Sequence, residues 1–135
     1  MTLPRQKVRE LIFEMLYSFQ FDPGTEKELV SFLMQEHKVT KKNALAAYLQ
    51  AKNIESHQTE LDAIITKIST GYDIERIGSC ERTILRIALW ELVLEKTNPA
   101  PCIISEAKRI ARKFAGPAAA SFLHGLLDAA IRLRG

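Results

Sequence analysis

The sequence is poor in cysteine, and the placement of its two cysteines argues against two common classes of small protein. Cys80 and Cys102 are the only ones in 135 residues, and neither belongs to a CxxC pair. Disulfide-rich domains carry several paired cysteines, and structural zinc sites need cysteine and histidine clusters at short spacings. We therefore expect two free thiols in a reducing compartment, with no bound metal and no cofactor.

Long apolar runs are missing as well. The longest, residues 84–94, is interrupted by Arg86 and Glu91. It is also shorter than the roughly 20 residues that a membrane-spanning helix needs. No apolar run follows the basic residues near the start, as a signal peptide would require. These absences predict a cytoplasmic protein with no membrane segment.

Motifs for catalysis are also absent. The three histidines, His37, His57 and His124, are far apart in sequence. There is no GxSxG nucleophile motif and no glycine-rich phosphate loop. We therefore expect that the protein is not an enzyme.

What the sequence does contain is helical periodicity along nearly its whole length. A first helix over about 4–19 has a continuous apolar face formed by Val8, Leu11, Ile12, Met15, Leu16 and Phe19. Thr25, Thr40 and Ser79 are expected to cap later helices, and Glu28 completes a capping box with Thr25. No period-2 strand pattern is present. The pattern predicts an all-α protein, a compact bundle of about seven helices in one domain over 1–135.

The helix predicted from Cys80 to about Lys96 is the most apolar in the chain. It has little polar surface, so it should be a central helix with Trp90 buried. Residues 98–101 are expected to be a rigid connector, followed by a sixth helix over about 102–114. Pro117 is suited to open the seventh helix, because proline is tolerated in a first turn.

A basic cluster marks the start of the first helix. Arg5, Lys7 and Arg9 lie where the helix dipole favours anions instead, so a sequence selected only for stability would tend to place carboxylates there. Exposed amide groups and cations together can bind phosphates. The alternative is an ordinary solvated helix end, since charge runs are often just surface.

Two aromatic residues extend this basic stripe. Arg9, Phe13 and Tyr17 follow one another at four-residue steps, away from the apolar face. Unpaired RNA bases stack on rings and guanidinium planes. For Phe13 we expect packing beneath a neighbouring helix. For Tyr17, both packing and base stacking remain open.

The sixth helix carries a second basic surface. Lys108, Arg109, Arg112 and Lys113 face only one acidic neighbour, Glu106. This surface is either an extension of an RNA path or simply the outer face of an amphipathic helix.

Several segments resemble motifs of the NusB family, in order and at consistent spacing. Residues 5–10 and 15–18 resemble its "RxxAxxALYxxQ" opening, 81–92 its "ExAILRLAxYEL" helix, 104–107 "INEA", 111–114 "AKxF" and 122–128 "FVNGVLD". The resemblance covers both ends and the centre, and it is weak over about 22–72. It implies an all-α fold of two small helical sub-bundles.

The resemblance also implies a function and a set of contacts. Family members bind the single-stranded boxA element of nascent ribosomal RNA, pair with the ribosomal protein NusE and join an antitermination complex on RNA polymerase. Some are homodimers when free. The implied RNA contacts are Arg5, Lys7, Arg9, Tyr17, Glu81 and Phe122, of which Glu81 and Phe122 rest on the resemblance alone.

Departures from the family pattern leave other functions open. Residues 116–120 are Gly-Pro-Ala-Ala-Ala where many members have a polar loop, Ser121 replaces a lysine, His124 replaces an asparagine and Gln6 replaces a basic residue. One alternative is a helical scaffold that binds only protein. Another is the RNA-binding domain of a ribosomal RNA cytosine methyltransferase, which needs a catalytic domain not found in these 135 residues.

Overall fold

The computed structural model describes residues 3–21, 24–70 and 73–133, and within them the protein is all-α, as predicted. These residues form seven α-helices and no strand. The helices are α1 (Arg5–Ser18), α2 (Glu26–His37), α3 (Lys41–Ser56), α4 (Gln58–Ile68), α5 (Ser79–Leu89), α6 (Ala100–Phe114) and α7 (Pro117–Ile131). None of the described helices is long and apolar enough to cross a membrane.

The chain divides into two compact units, which matches the expected pair of sub-bundles. The first unit spans Met1–Ser56 and holds α1 to α3. The second spans His57–Gly135 and holds α4 to α7.

In the first unit, α3 packs against both α1 and α2. Its buried face is lined by Ala44, Ala47 and Ala51, whose small side chains let the neighbouring helices approach closely. Leu11 and Met15 of α1 are fully buried. They belong to the apolar face predicted from the sequence, so the periodicity identified the core of this unit.

Two of the three predicted helix caps are confirmed. The Glu28 amide donates to Thr25 Oγ1 at 3.2 Å, and the Thr25 amide donates to Glu28 Oε1 at 3.2 Å, which completes the capping box. The Asn43 amide donates to Thr40 Oγ1 at 3.2 Å. Both side chains satisfy amides that lack an intrahelical acceptor.

The prediction that Ser79 caps α5 is wrong. Gly78 is the N-cap, and Ser79 is already the first helical residue. A Cβ atom at Gly78 would collide with Glu81 Oε2, so the Glu81 carboxylate lies over the start of the helix. The helix dipole favours a negative charge at that end, so Glu81 contributes electrostatically where a serine cap was expected.

In the second unit, α5 is the central helix, as expected from its apolar sequence. It packs against α4, α6 and α7, and every residue over 83–92 is buried. Leu85, Leu89 and Leu92 have no exposed surface, and Trp90 is buried too.

The end of the central helix differs from the prediction, because it is not α-helical up to Lys96. Residues Trp90–Glu95 form a π-helix, whose last turn is closed by a 2.9 Å bond from the Lys96 amide to the Glu91 carbonyl. Lys96 then takes a left-handed conformation at φ 61°. The Glu91 side chain is buried within this segment, and Asn98 Nδ2 donates to it at 2.8 Å.

The connectors are shorter than expected. Helix α6 begins at Ala100, so Pro101 lies in its first turn, where a proline leaves no intrahelical bond unmade. The sequence also predicts a turn over 22–24, a helix stop at Gly71 and a polar connection that starts at Tyr72, and these positions fall partly outside the described residues. Of these, Gly24 is described and has φ +80°, a value that favours glycine.

Candidate RNA-binding surface

Helix α1 carries one row of side chains at four-residue steps. Arg5, Arg9, Phe13 and Tyr17 follow one another along it, and Phe21 continues the spacing in the turn after the helix. Each step of four rotates the row by about 40° around the helix axis, so Arg5 and Tyr17 are about 120° apart. The two ends of the row are exposed, and its middle is covered. The row therefore presents a cation at one end and an aromatic ring at the other.

Arg9 is less accessible than the sequence suggested. It is 7% exposed, so most of its surface already contacts protein. A phosphate approaching this helix meets Arg5, which is exposed, before it meets Arg9. A direct contact between Arg9 and RNA remains a prediction. Because its side chain is buried, Arg9 also contributes to the packing of the protein.

Lys7 does not lie on the same side of α1 as Arg5, because two residues rotate a helix by about 200°. Its ammonium is 2.7 Å from His37 Nδ1 on α2, and His37 Nε2 is 2.6 Å from Glu14 Oε2 on α1. An ammonium only donates and a carboxylate only accepts, so Nδ1 accepts from Lys7 and Nε2 donates to Glu14. We call this chain of Lys7, His37 and Glu14 the α1–α2 relay.

The aromatic residues of the row contact one another. Phe13 and Tyr17 are stacked, with ring centroids 5.8 Å apart and an interplanar angle of 24°. Tyr17 and Phe21 are 5.0 Å apart and tilted by 59°. Phe13 is buried, as expected, and Tyr17 is partly exposed. We call Phe13, Tyr17 and Phe21 the aromatic column.

Phe21 was missed at the sequence level. It is 57% exposed and is held next to Tyr17 by a turn in which its amide donates to the Ser18 carbonyl at 3.1 Å. The signal that points to it was present, since it lies four residues beyond Tyr17 in the Arg9, Phe13, Tyr17 series.

Glu81 and Phe122 belong to the second unit. Glu81 is partly exposed at the start of α5, and its carboxylate has no hydrogen bond or ion pair within the described part of the chain. Phe122 is partly exposed on α7. Both are therefore accessible, and their contacts with RNA remain predictions.

Cys80 lies one residue before Glu81 and has a perturbed thiol. Burial, and then the negative charge of Glu81, raise the pKa of Cys80 above its usual value. The position near a helix start, which can lower a thiol pKa, is outweighed here. The raised pKa disfavours the thiolate, which is the reactive form of a cysteine.

The basic face of α6 is only partly open. Arg109 donates two hydrogen bonds to Glu106, from Nε to Oε2 at 2.9 Å and from a terminal nitrogen to Oε1 at 3.1 Å. Lys108 and Arg112 instead line a groove of about 360 Å³ between α6 and α7. The second basic surface therefore offers fewer available cations than the sequence suggested.

The fold and this surface define a small all-α protein whose first helix combines cations with a column of aromatic rings. The chain belongs to the NusB family, whose model matches residues 6–132. It is similar to the transcription antitermination protein NusB of Chlamydia muridarum, with 38% identity over 114 residues, 82% of this chain and 70% of the relative. The counterpart from Chlamydia trachomatis serovar L2 is 35% identical over 127 residues, 92% of this chain and 76% of the relative.

Solved structures of the family have the same fold. NusB of T. maritima superposes with a TM-score of 0.80 at 25% identity, covering 98% of this chain and 93% of the other. A structure of the antitermination factors NusB and NusE in complex with dsRNA superposes with a TM-score of 0.79 at 26% identity, covering 95% of this chain and 96% of the matched chain.

Proposed function

We propose that this protein is a transcription antitermination factor that binds boxA-type single-stranded RNA of nascent ribosomal RNA transcripts together with the ribosomal protein NusE. The observation that carries the proposal is helix α1, which begins with exposed Arg5 and leads at its other end into the aromatic column, in a chain of the NusB family. Cations supply attraction to phosphates, and rings supply stacking for unpaired bases. The protein acts by binding, in the cytoplasm, and it is not an enzyme.

The remaining residues have defined parts in this proposal. Lys7 offers the two ammonium hydrogens that His37 does not take, and Tyr17 offers its hydroxyl and the open part of its ring. Glu81, whose carboxylate lies partly exposed at the start of α5, accepts hydrogen bonds from base edges. Phe122 adds a partly exposed ring from the second unit, so that residues 1–135 serve as one RNA-binding domain.

A protein partner is part of the proposal for a physical reason. A chain with a formal net charge of +3 and a thin basic patch supplies limited attraction to RNA. A partner that adds basic surface places two binding modules on one strand and raises the affinity of both. NusE has this role in our proposal, and the pair joins the antitermination complex on RNA polymerase. The free protein is either a monomer or a homodimer.

The primary test is a titration of labelled boxA-type RNA at several salt concentrations. The double variant Arg5→Ala/Lys7→Ala should bind more weakly, and its salt slope should be shallower by about 0.7 for each phosphate that it no longer neutralises. The matched control, Lys27→Ala/Lys42→Ala, removes two exposed lysines elsewhere in the first unit. Both doubles lower the formal net charge from +3 by two, to +1, so only the position of the charges differs.

Two further arms separate the alternatives. A duplex of the same sequence is the competitor, because the solved NusB and NusE complex contains dsRNA. Equal binding of duplex and single strand would contradict base recognition. Wild-type affinity in the Arg5→Ala/Lys7→Ala variant, with its fold intact, would refute the α1 site and favour a scaffold that binds only protein.

The partner is tested by a reciprocal pair of titrations. RNA affinity is measured with and without NusE, and NusE affinity is measured with and without RNA. Coupled binding requires the same factor in both directions, and we expect roughly 5- to 150-fold. Equal affinities in both comparisons would contradict the joint complex.

A further inference from the structure

The aromatic column ends in a ring that faces solvent. Phe21 is 57% exposed, more than Phe32 at 46% or Phe114 at 38%. A single exposed phenylalanine is ordinary on a protein surface. Phe21 differs because its ring contacts Tyr17, which in turn contacts Phe13, so three rings follow one another from the interior to the surface.

The geometry of the column limits what Tyr17 can do. Tyr17 has a ring neighbour one turn before it and another one turn after it, at centroid distances of 5.8 Å and 5.0 Å. An incoming base competes with those neighbours for the ring of Tyr17. The surface of Phe21 that Tyr17 does not cover has no such competitor among the described rings.

The position of Phe21 is set before any ligand binds. Helix α1 continues into a turn in which the Gln20 amide donates to the Tyr17 carbonyl at 3.2 Å and the Phe21 amide donates to the Ser18 carbonyl at 3.1 Å. Buried Phe13 anchors the other end of the column. A ring held this way loses little conformational freedom on stacking, which favours binding.

We propose that Phe21 is a base-stacking residue for single-stranded RNA. Tyr17 supports the Phe21 ring by contacting it on the side of Phe13, and its hydroxyl is a polar contact for the RNA. The ligand class is an unpaired nucleobase, stacked as a fourth member of the column. Stacking is tolerant of sequence because every base has a flat face. This inference rests on the proposed RNA-binding function and adds to it a residue that its family motif does not contain.

The test uses the full chain and a boxA-type RNA oligonucleotide carrying 2-aminopurine, whose fluorescence falls when it stacks. Phe21→Ala should weaken RNA binding roughly 5- to 150-fold, the equivalent of about 1–3 kcal/mol at 1.4 kcal/mol per tenfold. It should also relieve quenching at one position of the RNA. Phe21→Trp should restore both signals, because a larger ring also stacks.

The matched control is Phe32→Ala, which removes another exposed phenylalanine of the first unit. It should leave affinity and quenching unchanged, and circular dichroism melting should report the fold of each variant. A Phe21→Ala protein that binds within about twofold of wild type would overturn the proposal, as would an equal loss in Phe32→Ala.

The outcomes also separate this inference from the proposed function. If wild type binds RNA and Tyr17→Ala is weakened while Phe21→Ala is not, RNA binding stands and the stacking role returns to Tyr17. If wild type does not bind RNA, the proposed function fails and the role of Phe21 fails with it.

Discussion

The ammonium of Lys7 lies 2.7 Å from the Nδ1 atom of His37, so a residue of α2 holds a cation of α1 in place. His37 is oriented in turn by Glu14, 2.6 Å from its Nε2 atom. A lysine side chain has several rotatable bonds, and ordering it only when RNA binds costs conformational entropy. The α1–α2 relay orders Lys7 in advance.

We therefore expect His37 to act on RNA binding through Lys7. His37→Ala should weaken RNA affinity by a few fold, in line with about 1 kcal/mol for a hydrogen bond. The same change in a Lys7→Ala background should have no further effect. The measurement is a double-mutant cycle of RNA dissociation constants.

The control for this cycle is His57→Ala, because His57 pairs with Glu60 on its own helix and belongs to the second unit. It should leave RNA affinity unchanged. Additive losses from His37→Ala and Lys7→Ala would mean that the relay does not position the cation.

The central helix should dominate stability. Leu85 and Leu92 have no exposed surface, so Leu85→Ala or Leu92→Ala should each lower the free energy of unfolding by about 2–5 kcal/mol. Leu49→Ala is the control, because Leu49 is 53% exposed and its replacement should cost less than about 0.5 kcal/mol. Denaturant titration measures both. Losses below about 1 kcal/mol at both core leucines would contradict the central role of α5.

A bidentate ion pair joins α4 to α5. Arg86 donates from Nε to Asp62 Oδ1 at 2.8 Å and from a terminal nitrogen to Oδ2 at 3.1 Å. The arginine side chain is only 8% exposed, so Asp62→Ala leaves a buried cation without its partner. We expect a loss of about 2–4 kcal/mol, below the upper range for buried pairs because Asp62 is 29% exposed.

Asp73→Ala serves as the matched control for that pair. Asp73 faces Arg76 at 3.9 Å with more than 80% of both side chains exposed, and such pairs contribute little. Its replacement should change the free energy of unfolding by less than about 0.5 kcal/mol. Similar losses for Asp62→Ala and Asp73→Ala would show that burial of Arg86 does not matter.

The two cysteines should differ in reactivity. The raised pKa of Cys80 keeps its thiol protonated at neutral pH, and only the thiolate reacts readily. Ellman's reagent should therefore modify exposed Cys102 first. Glu81→Gln removes one cause of the raised pKa and should speed modification of Cys80 without changing that of Cys102. Faster reaction at Cys80 in wild type would contradict the assignment.

Local signals in the sequence predicted local structure well. Thr25 and Glu28 form the capping box because all of its atoms lie within four residues. The apolar face of α1 could also be predicted, because the helical repeat alone determines which residues share a face. The prediction for Ser79 was wrong, since Gly78 occupies the N-cap position. The Glu81 carboxylate lies over the helix start, and residue propensities do not predict where such a side chain folds back.

The candidate site was predictable only in part, because accessibility depends on neighbours distant in sequence. Arg9 and Phe13 share a row with Arg5 and Tyr17, yet both are buried. The partner of Lys7 is 30 residues away on α2, beyond the reach of any local motif. Phe21 continues the four-residue spacing of Arg9, Phe13 and Tyr17, but it follows the end of α1, so the spacing alone did not establish that its ring contacts Tyr17.

The π-helical end of the central helix has a consequence for how this chain tolerates changes in length. A turn closed by i to i+5 bonds holds one residue more than an α-turn. The π-helix Trp90–Glu95 therefore accommodates one extra residue within the helix, without forming a loop. The surplus residue shifts the angular position of the side chains that follow it. Within this segment Glu91 is buried, while Val93 and Leu94 are partly exposed. We expect that deleting one residue here converts the segment to an ordinary α-helix and shifts the residues after it, Asn98 among them, relative to Glu91, so that their hydrogen bond is lost or weakened.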